Sequence, residues 1–196
     1  MFANRFTALI DACSLASALK RNLLLTLAEA EFFRARWSAP ILDETERAIA
    51  RMIEQKCDPD HREKAGRARA SIETAFKDAI VSGFDHLLPH GSALPDPADA
   101  HVLAAAIKTQ ASMIVTENLK HFPDTALVRF NLEAKSADAF IADTLNLDIG
   151  RGVAALSLMR ARLKKPELTT DALLLRMEAD GLVETASMLE PHRDSL

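Results

Sequence analysis

The sequence has 196 residues, of which 48% are hydrophobic and 27% charged, proportions of an ordinary globular chain with room for one sizeable core and an added helical lobe. A formal net charge of -4 excludes a general attraction to nucleic acid, so any such partner has to be met by a local basic surface. Two cysteines, Cys13 and Cys57, without CxxC or finger spacing, exclude a disulfide scaffold; the N-terminal apolar run is too short for a signal-peptide core and no later run could span a bilayer, so a cytoplasmic protein without membrane contact is expected.

Thr7-Ala-Leu-Ile-Asp11 reads as a short buried strand ending on a carboxylate, followed by a leucine-rich helix from Ser17 to Ala30. Strand carboxyl ends form the ligand crevice of open α/β sheets, so Asp11 stands either where chemistry is found or as a helix cap. Phe32 to Trp37 predicts a second strand with arginines among aromatics, and Ser38 or Ala39 opens a helix to about Lys56. Its apolar face, carried by Ile41, Leu42, Ala48, Ile49, Met52 and Ile53, is flanked by Glu44 and Glu46, and periodicity does not choose between them. Cys57 to His61 is a turn, a charged helix runs to about Val81, and Phe84 to Pro89 predicts a strand.

The next stretch, Leu94-Pro-Asp96-Pro-Ala-Asp99-Ala-His101, runs from a loop into an alanine-rich helix. Asp96 is placed as N-cap, Pro97 at the first helical position, and Asp99 in the first turn, where the macrodipole favours the charged carboxylate. Ala111 to Thr116 is an apolar strand ending in the polar cluster Glu117-Asn118, Leu127 to Phe130 another strand, and Asp138 to Thr144 a helix. His61, His86, His90, His101 and His121 lack the close pairing of a zinc site and are read as surface or capping residues. From residue 146 the chain is all helix: one segment through Val153, Leu156, Met159 and Leu163, another capped by Thr169 or Thr170 and ended at Gly181, and a last one from Leu182 to Leu189. Alternating strands and helices before that point predict a mainly parallel sheet covered on both faces.

Were the acids at these strand and helix ends to converge, their mutual repulsion would be relieved by a hard divalent cation, which takes oxygen ligands and can activate water for attack on a phosphodiester. Their spacing alone does not select that chemistry.

The segments Leu9-Ile-Asp11 with Ser14-Leu15, Trp37-Ser38 through Asp43-Glu44, Leu94 through Ala106, and Ile114-Val-Thr116-Glu-Asn118-Leu-Lys-His-Phe-Pro123 together resemble the PIN-domain ribonucleases over about residues 5 to 145. They look most like the VapC-type toxins of toxin–antitoxin systems, in a branch with an added helical C-terminal region. The resemblance implies a PIN-like three-layer α/β/α domain at 1–145 and a helical region at 146–196. It implies Asp11, Glu44 and Asp99 as ligands of Mg2+ or Mn2+, with Glu44 preferred to Glu46. Thr116 matches a hydroxyl position beside the site, and Asn118 stands where many members carry a fourth acid, a departure that keeps an oxygen but removes a charge. The implied activity is metal-dependent endoribonuclease action on RNA, with an antitoxin covering the crevice. Arg21, Arg47 and Lys120, neighbours of the motifs, are candidates for gathering substrate, with Phe33 and Trp37 as the plausible aromatic platforms. The tail could pack on the core, form a homodimer face or contact the antitoxin. The alternative is a catalytically weak or inactive PIN-fold module that binds RNA or protein.

Overall fold

A computed structural model describes residues 6–163 and 168–196; of the N-terminal run weighed as a leader, residues 1–5 lie outside the described residues. Five strands, β1 (Thr7–Ile10), β2 (Arg34–Ser38), β3 (Ile80–Val81), β4 (Met113–Val115) and β5 (Glu133–Lys135), form one sheet of order β3-β2-β1-β4-β5 among the described residues. Every pairing is parallel, with Ala8 opposite Ala35 on one side and Met113 on the other. The chain builds outward from β1 to β3 and then returns to β1's other edge for β4. The order therefore reverses between β1 and β4, and a crevice opens there at the strands' carboxyl ends.

Helices cover both faces: α1 (Ala12–Ala16), α2 (Ala18–Glu29), α3 (Ala39–Glu54), α4 (His61–Ala75), α5 (Ala100–Lys108), α6 (Asp124–Leu127) and α7 (Ala137–Leu147). Local chemistry sets their starts. Ser17, Ser38 and Ser136 each cap a helix through the side-chain oxygen, and Pro40 occupies the first turn of α3. The central strands read as apolar runs because both their faces are covered: Leu9, Ile10, Ile114 and Val115 have no exposed surface.

The C-terminal helices α8 (Ile149–Arg162), α9 (Thr170–Ala179) and α10 (Val183–Leu189) follow the expected signals, with Thr169 capping α9 and Gly181, at φ +79°, ending it. They share one continuous apolar core with the sheet domain, in which Leu156, Met159, Leu173 and Leu189 join Leu9, Leu23 and Phe140. Close approach at Gly152 makes this possible, since a Cβ there would collide with the Leu145 side chain. Asp138 of α7 receives the backbone N–H groups of Glu184 (2.9 Å) and Thr185 (2.8 Å), so one carboxylate caps α10 from across the fold.

Four local expectations are corrected. The helix expected to reach Val81 ends at Ala75, because Phe76 turns in against Trp37 and Ile80–Val81 pairs with β2 as an edge strand. Phe84 to Pro89 is no strand but the start of a 3-10 helical stretch, Asp85–Ala93, where Pro89 has no N–H for a sheet ladder. Leu127 to Phe130 lies in α6 and a 3-10 turn. The edge strand there is the polar Glu133–Lys135, whose composition carries no apolar signal. Phe33 and Trp37 are core residues, 2% and 0% exposed, so neither ring can serve as a platform for a nucleic-acid base.

The backbone of Gly91 presses on the first residue of α5: a Cβ added there would lie 2.6 Å from the Cα of Ala100. Gly91→Ala is therefore expected to destabilise the fold by about 1–3 kcal/mol, the usual cost of overpacking, and chemical denaturation will read it.

Candidate active site

Asp11 is the buried acid at the switch point, 4% exposed at the end of β1. A buried carboxylate needs hydrogen bonds, and this one has them on both oxygens. Oδ1 accepts from the Ala12 N–H at 2.7 Å, so Asp11 also caps the short helix α1, while Oδ2 accepts from the Thr116 hydroxyl at 2.7 Å. Thr116 lies just past β4, and its oxygen in turn accepts from the backbone N–H of Asn118 at 3.1 Å. The bond pair thus ties together the ends of the two strands that flank the reversal.

Cys13 completes the cluster. Its thiol donates to Asp11 Oδ2 at 3.2 Å and its sulfur accepts from the Glu117 N–H at 3.2 Å. Burial, followed by the charge of Asp11, pushes this thiol up to about 11, so at neutral pH it is a protonated donor and a poor nucleophile.

Asp99 faces this cluster from the start of α5. It makes no capping hydrogen bond; that role belongs to Asp96, whose Oδ1 accepts from the Ala98 N–H at 2.9 Å. Burial pushes the Asp99 carboxyl above its ordinary range; a hydrogen bond from His121 opposes this, and the negative charges of Asp11 and Asp96 add to the rise. Burial thus acts on Asp99 against the helix macrodipole, which favours the charged form.

Of the two α3 glutamates, Glu46 is engaged elsewhere, its Oε2 paired with Arg69 of α4 at 3.0 Å. Glu44 instead reaches α5, where its Oε1 lies 3.2 Å from Nε2 of His101, with Arg47 4.0 Å away on its other side. The remaining candidates are more dispersed. Asn118 and Lys120 are exposed at the β4 end. Arg21 donates to the carbonyls of Leu15 (2.6 Å) and Ala16 (3.2 Å) and lines a groove between α2, α4 and α8 to which none of these acids contributes. Glu117 does not turn inward either: its two oxygens are taken by Lys20 (2.8 Å) and the Ala137 N–H (3.1 Å).

Sequence reading missed the histidines. His121 Nδ1 lies 2.8 Å from Asp99 Oδ2 and 3.9 Å from Asp96 Oδ2, and the ligand-capable atoms of these three side chains all fall within 4.8 Å of one another. The available signal was positional: His101 follows Asp99 by two residues at a helix start, and His121 follows the β4 end by six.

With this geometry in hand, the comparisons are specific. A family model described as "PIN domain" matches residues 7–120, more than half of the chain. The chain belongs to the PIN-domain family. This PIN-domain chain also carries, at residues 137–191, a match to the model described as "VapC50 C-terminal domain", so it is a VapC-type member with a C-terminal extension. A Mycobacterium tuberculosis protein named "Putative ribonuclease VapC50" is 53% identical over 49 residues, a stretch covering 25% of this chain and 29% of that relative. No solved structure matches. No helix among the described residues is long and apolar enough to cross a membrane.

Two outcomes are expected. In a timed alkylation of the folded protein, exposed Cys57 reacts first and half-buried Cys13 much more slowly; equal rates would contradict the protonated, hydrogen-bonded thiol. A raised folded-state pKa means that the contribution of Asp99 to stability is present below its unfolded pKa and lost as pH rises through the folded value. Asp99→Asn therefore leaves unchanged or raises the Tm of chelator-treated protein at pH 7.5, and any gain shrinks as the pH falls toward the ordinary carboxylate range.

Proposed function

We propose that this chain is a divalent-metal-dependent endoribonuclease, acting as the toxin of a type II toxin–antitoxin pair. The observation that carries the reading is a buried, hydrogen-bonded Asp11 at the end of β1, where the strand order reverses, together with Asp99 at metal-binding spacing to Asp96 and His121. Asp11, Glu44 and Asp99 form the proposed Mg2+ or Mn2+ ligand set, and an all-carboxylate donor set of this kind suits a hard cation. Such an ion supplies Lewis-acid polarisation of the scissile phosphate and lowers the pKa of its water.

The chain's own side chains then have separable tasks. Thr116 holds Asp11 in one orientation through the 2.7 Å bond, so the carboxylate needs no reorganisation when charge develops beside it. His101 holds Glu44 toward α5, and Cys13 adds a weak donor without competing as a nucleophile. Arg47 and Lys120, both exposed, are proposed to meet the RNA backbone, and Asn118 to offer a neutral contact at the crevice rim. For Arg21 the engaged guanidinium favours a structural role. The nuclease unit is taken as 1–145, because α7 packs its Phe140 against Phe33 beneath the sheet at 4.8 Å, and 146–196 as the helical region. An antitoxin that neutralises the enzyme would cover the crevice from outside, with a basic group among the acids.

The experiment is cleavage of RNA with Mg2+ or Mn2+, with chelator, and with Asp99→Asn. Chelator is expected to stop cleavage, and the substitution to lower its rate by about 100-fold or more, the scale of losing a preorganised charge partner. Equal cleavage in all arms would sink the proposal. Asn118, neutral where a fourth acid is common, favours a second reading as a PIN-fold module that binds without cutting; RNA binding with no cleavage at millimolar Mg2+ or Mn2+ would establish it.

A further inference from the structure

We infer that His121 is a direct nitrogen ligand of the ion at this site and tilts the centre toward Mn2+ over Mg2+. The inference rests on the metal-dependent reading and names which residue fills the place that Asn118 leaves without charge.

Backbone geometry puts His121 there. After β4 the chain makes a 3-10 turn, Leu119–His121, closed by the His121 N–H on the Asn118 carbonyl (2.8 Å) and the Phe122 N–H on the Leu119 carbonyl (3.0 Å). Phe122 is buried in the core and anchors the turn's far end. The half-buried imidazole thereby meets Asp99, while Asn118 stays exposed.

The spacing suits coordination. Two ligand atoms at about 2.1 Å from a shared octahedral ion lie about 3 Å apart when adjacent and about 4.2 Å apart when opposite. His121 Nδ1 stands 2.8 Å from Asp99 Oδ2 and 3.9 Å from Asp96 Oδ2. Asp96 spends Oδ1 on its cap and has Oδ2 left, and Asp99 has no capping duty at all. The three form the one group of His, Cys, Asp and Glu side chains among the described residues with metal-binding spacing. His101 lies outside this group and meets Glu44 through Nε2 at 3.2 Å.

Donor type then sets preference. Mg2+ holds to oxygen and sheds its water reluctantly, whereas imidazole nitrogen suits first-row transition ions, of which Mn2+ is the one that also accepts a mainly carboxylate shell. A neutral ring also adds no negative charge to a space already crowded by Asp11, Asp96 and Asp99.

The test uses the full chain and Mn2+ itself. Electron paramagnetic resonance of titrated Mn2+ gives its Kd, competition gives that of Mg2+, and electron spin echo modulation reports bound 14N. The wild type is expected to show imidazole 14N modulation and to prefer Mn2+ by about tenfold or more, the scale on which ligand-shell changes act. His121→Asp is expected to lose the modulation and most of that preference. Absence of 14N modulation in the wild type, or its persistence with an unchanged preference in His121→Asp, overturns the inference. If Asp99→Asn abolishes Mn2+ binding while His121→Asp changes nothing, the inference fails and the nuclease reading stands. If the wild type binds neither ion, both fall.

Discussion

The two hydrogen bonds on the Asp11 carboxylate are the constraint around which the crevice is built. Burying a carboxylate at the end of a central strand is costly unless its oxygens are satisfied, and here the partners come from the next residue's N–H and from a hydroxyl at the end of the neighbouring strand. The same bonds that make the burial tolerable fix where β1 and β4 end relative to one another. Parallel pairing then carries that registration across the sheet, and α1 starts on the Asp11 cap.

Around this fixed acid the site is built of partnerships between carboxylates and groups that restrain them. Arg69 gathers Asp43 and Glu46 and leaves Glu44 to His101. Asp96 caps, which frees Asp99. Burial raises the Asp99 carboxyl, the His121 hydrogen bond opposes it, and the charges of Asp11 and Asp96 add to the rise. A carboxylate desolvated beside other acids is a common signature of a site whose geometry serves a ligand rather than stability.

Much of this was legible in the sequence because the relevant signals are local. Serine caps at 17 and 38 and the apolar runs around Leu9 and Ile114 marked many of the elements. Asp11, Glu44 and Asp99 were singled out by the family resemblance rather than by spacing. What failed to show was whatever depends on tertiary contact. Glu133–Lys135 is a strand only because β4 offers it an edge, and Phe84 to Pro89 has strand-like composition but lacks a donor at Pro89. That burial raises the Asp99 carboxyl had no one-dimensional trace. His121 looked like a surface residue because nothing in the chain says that residues 99 and 121 meet.

Glu117 gives the C-terminal helices a mechanical meaning. Its carboxylate grips Lys20 of α2 with one oxygen and the first N–H of α7 with the other, while its own backbone N–H rests on Cys13. The residue beside the crevice is thus a rivet through three layers: the β4 end, the helix behind it, and the element from which the C-terminal extension departs. The element that opens the C-terminal helices is thereby pinned, through one carboxylate, next to the strand end whose Thr116 holds Asp11.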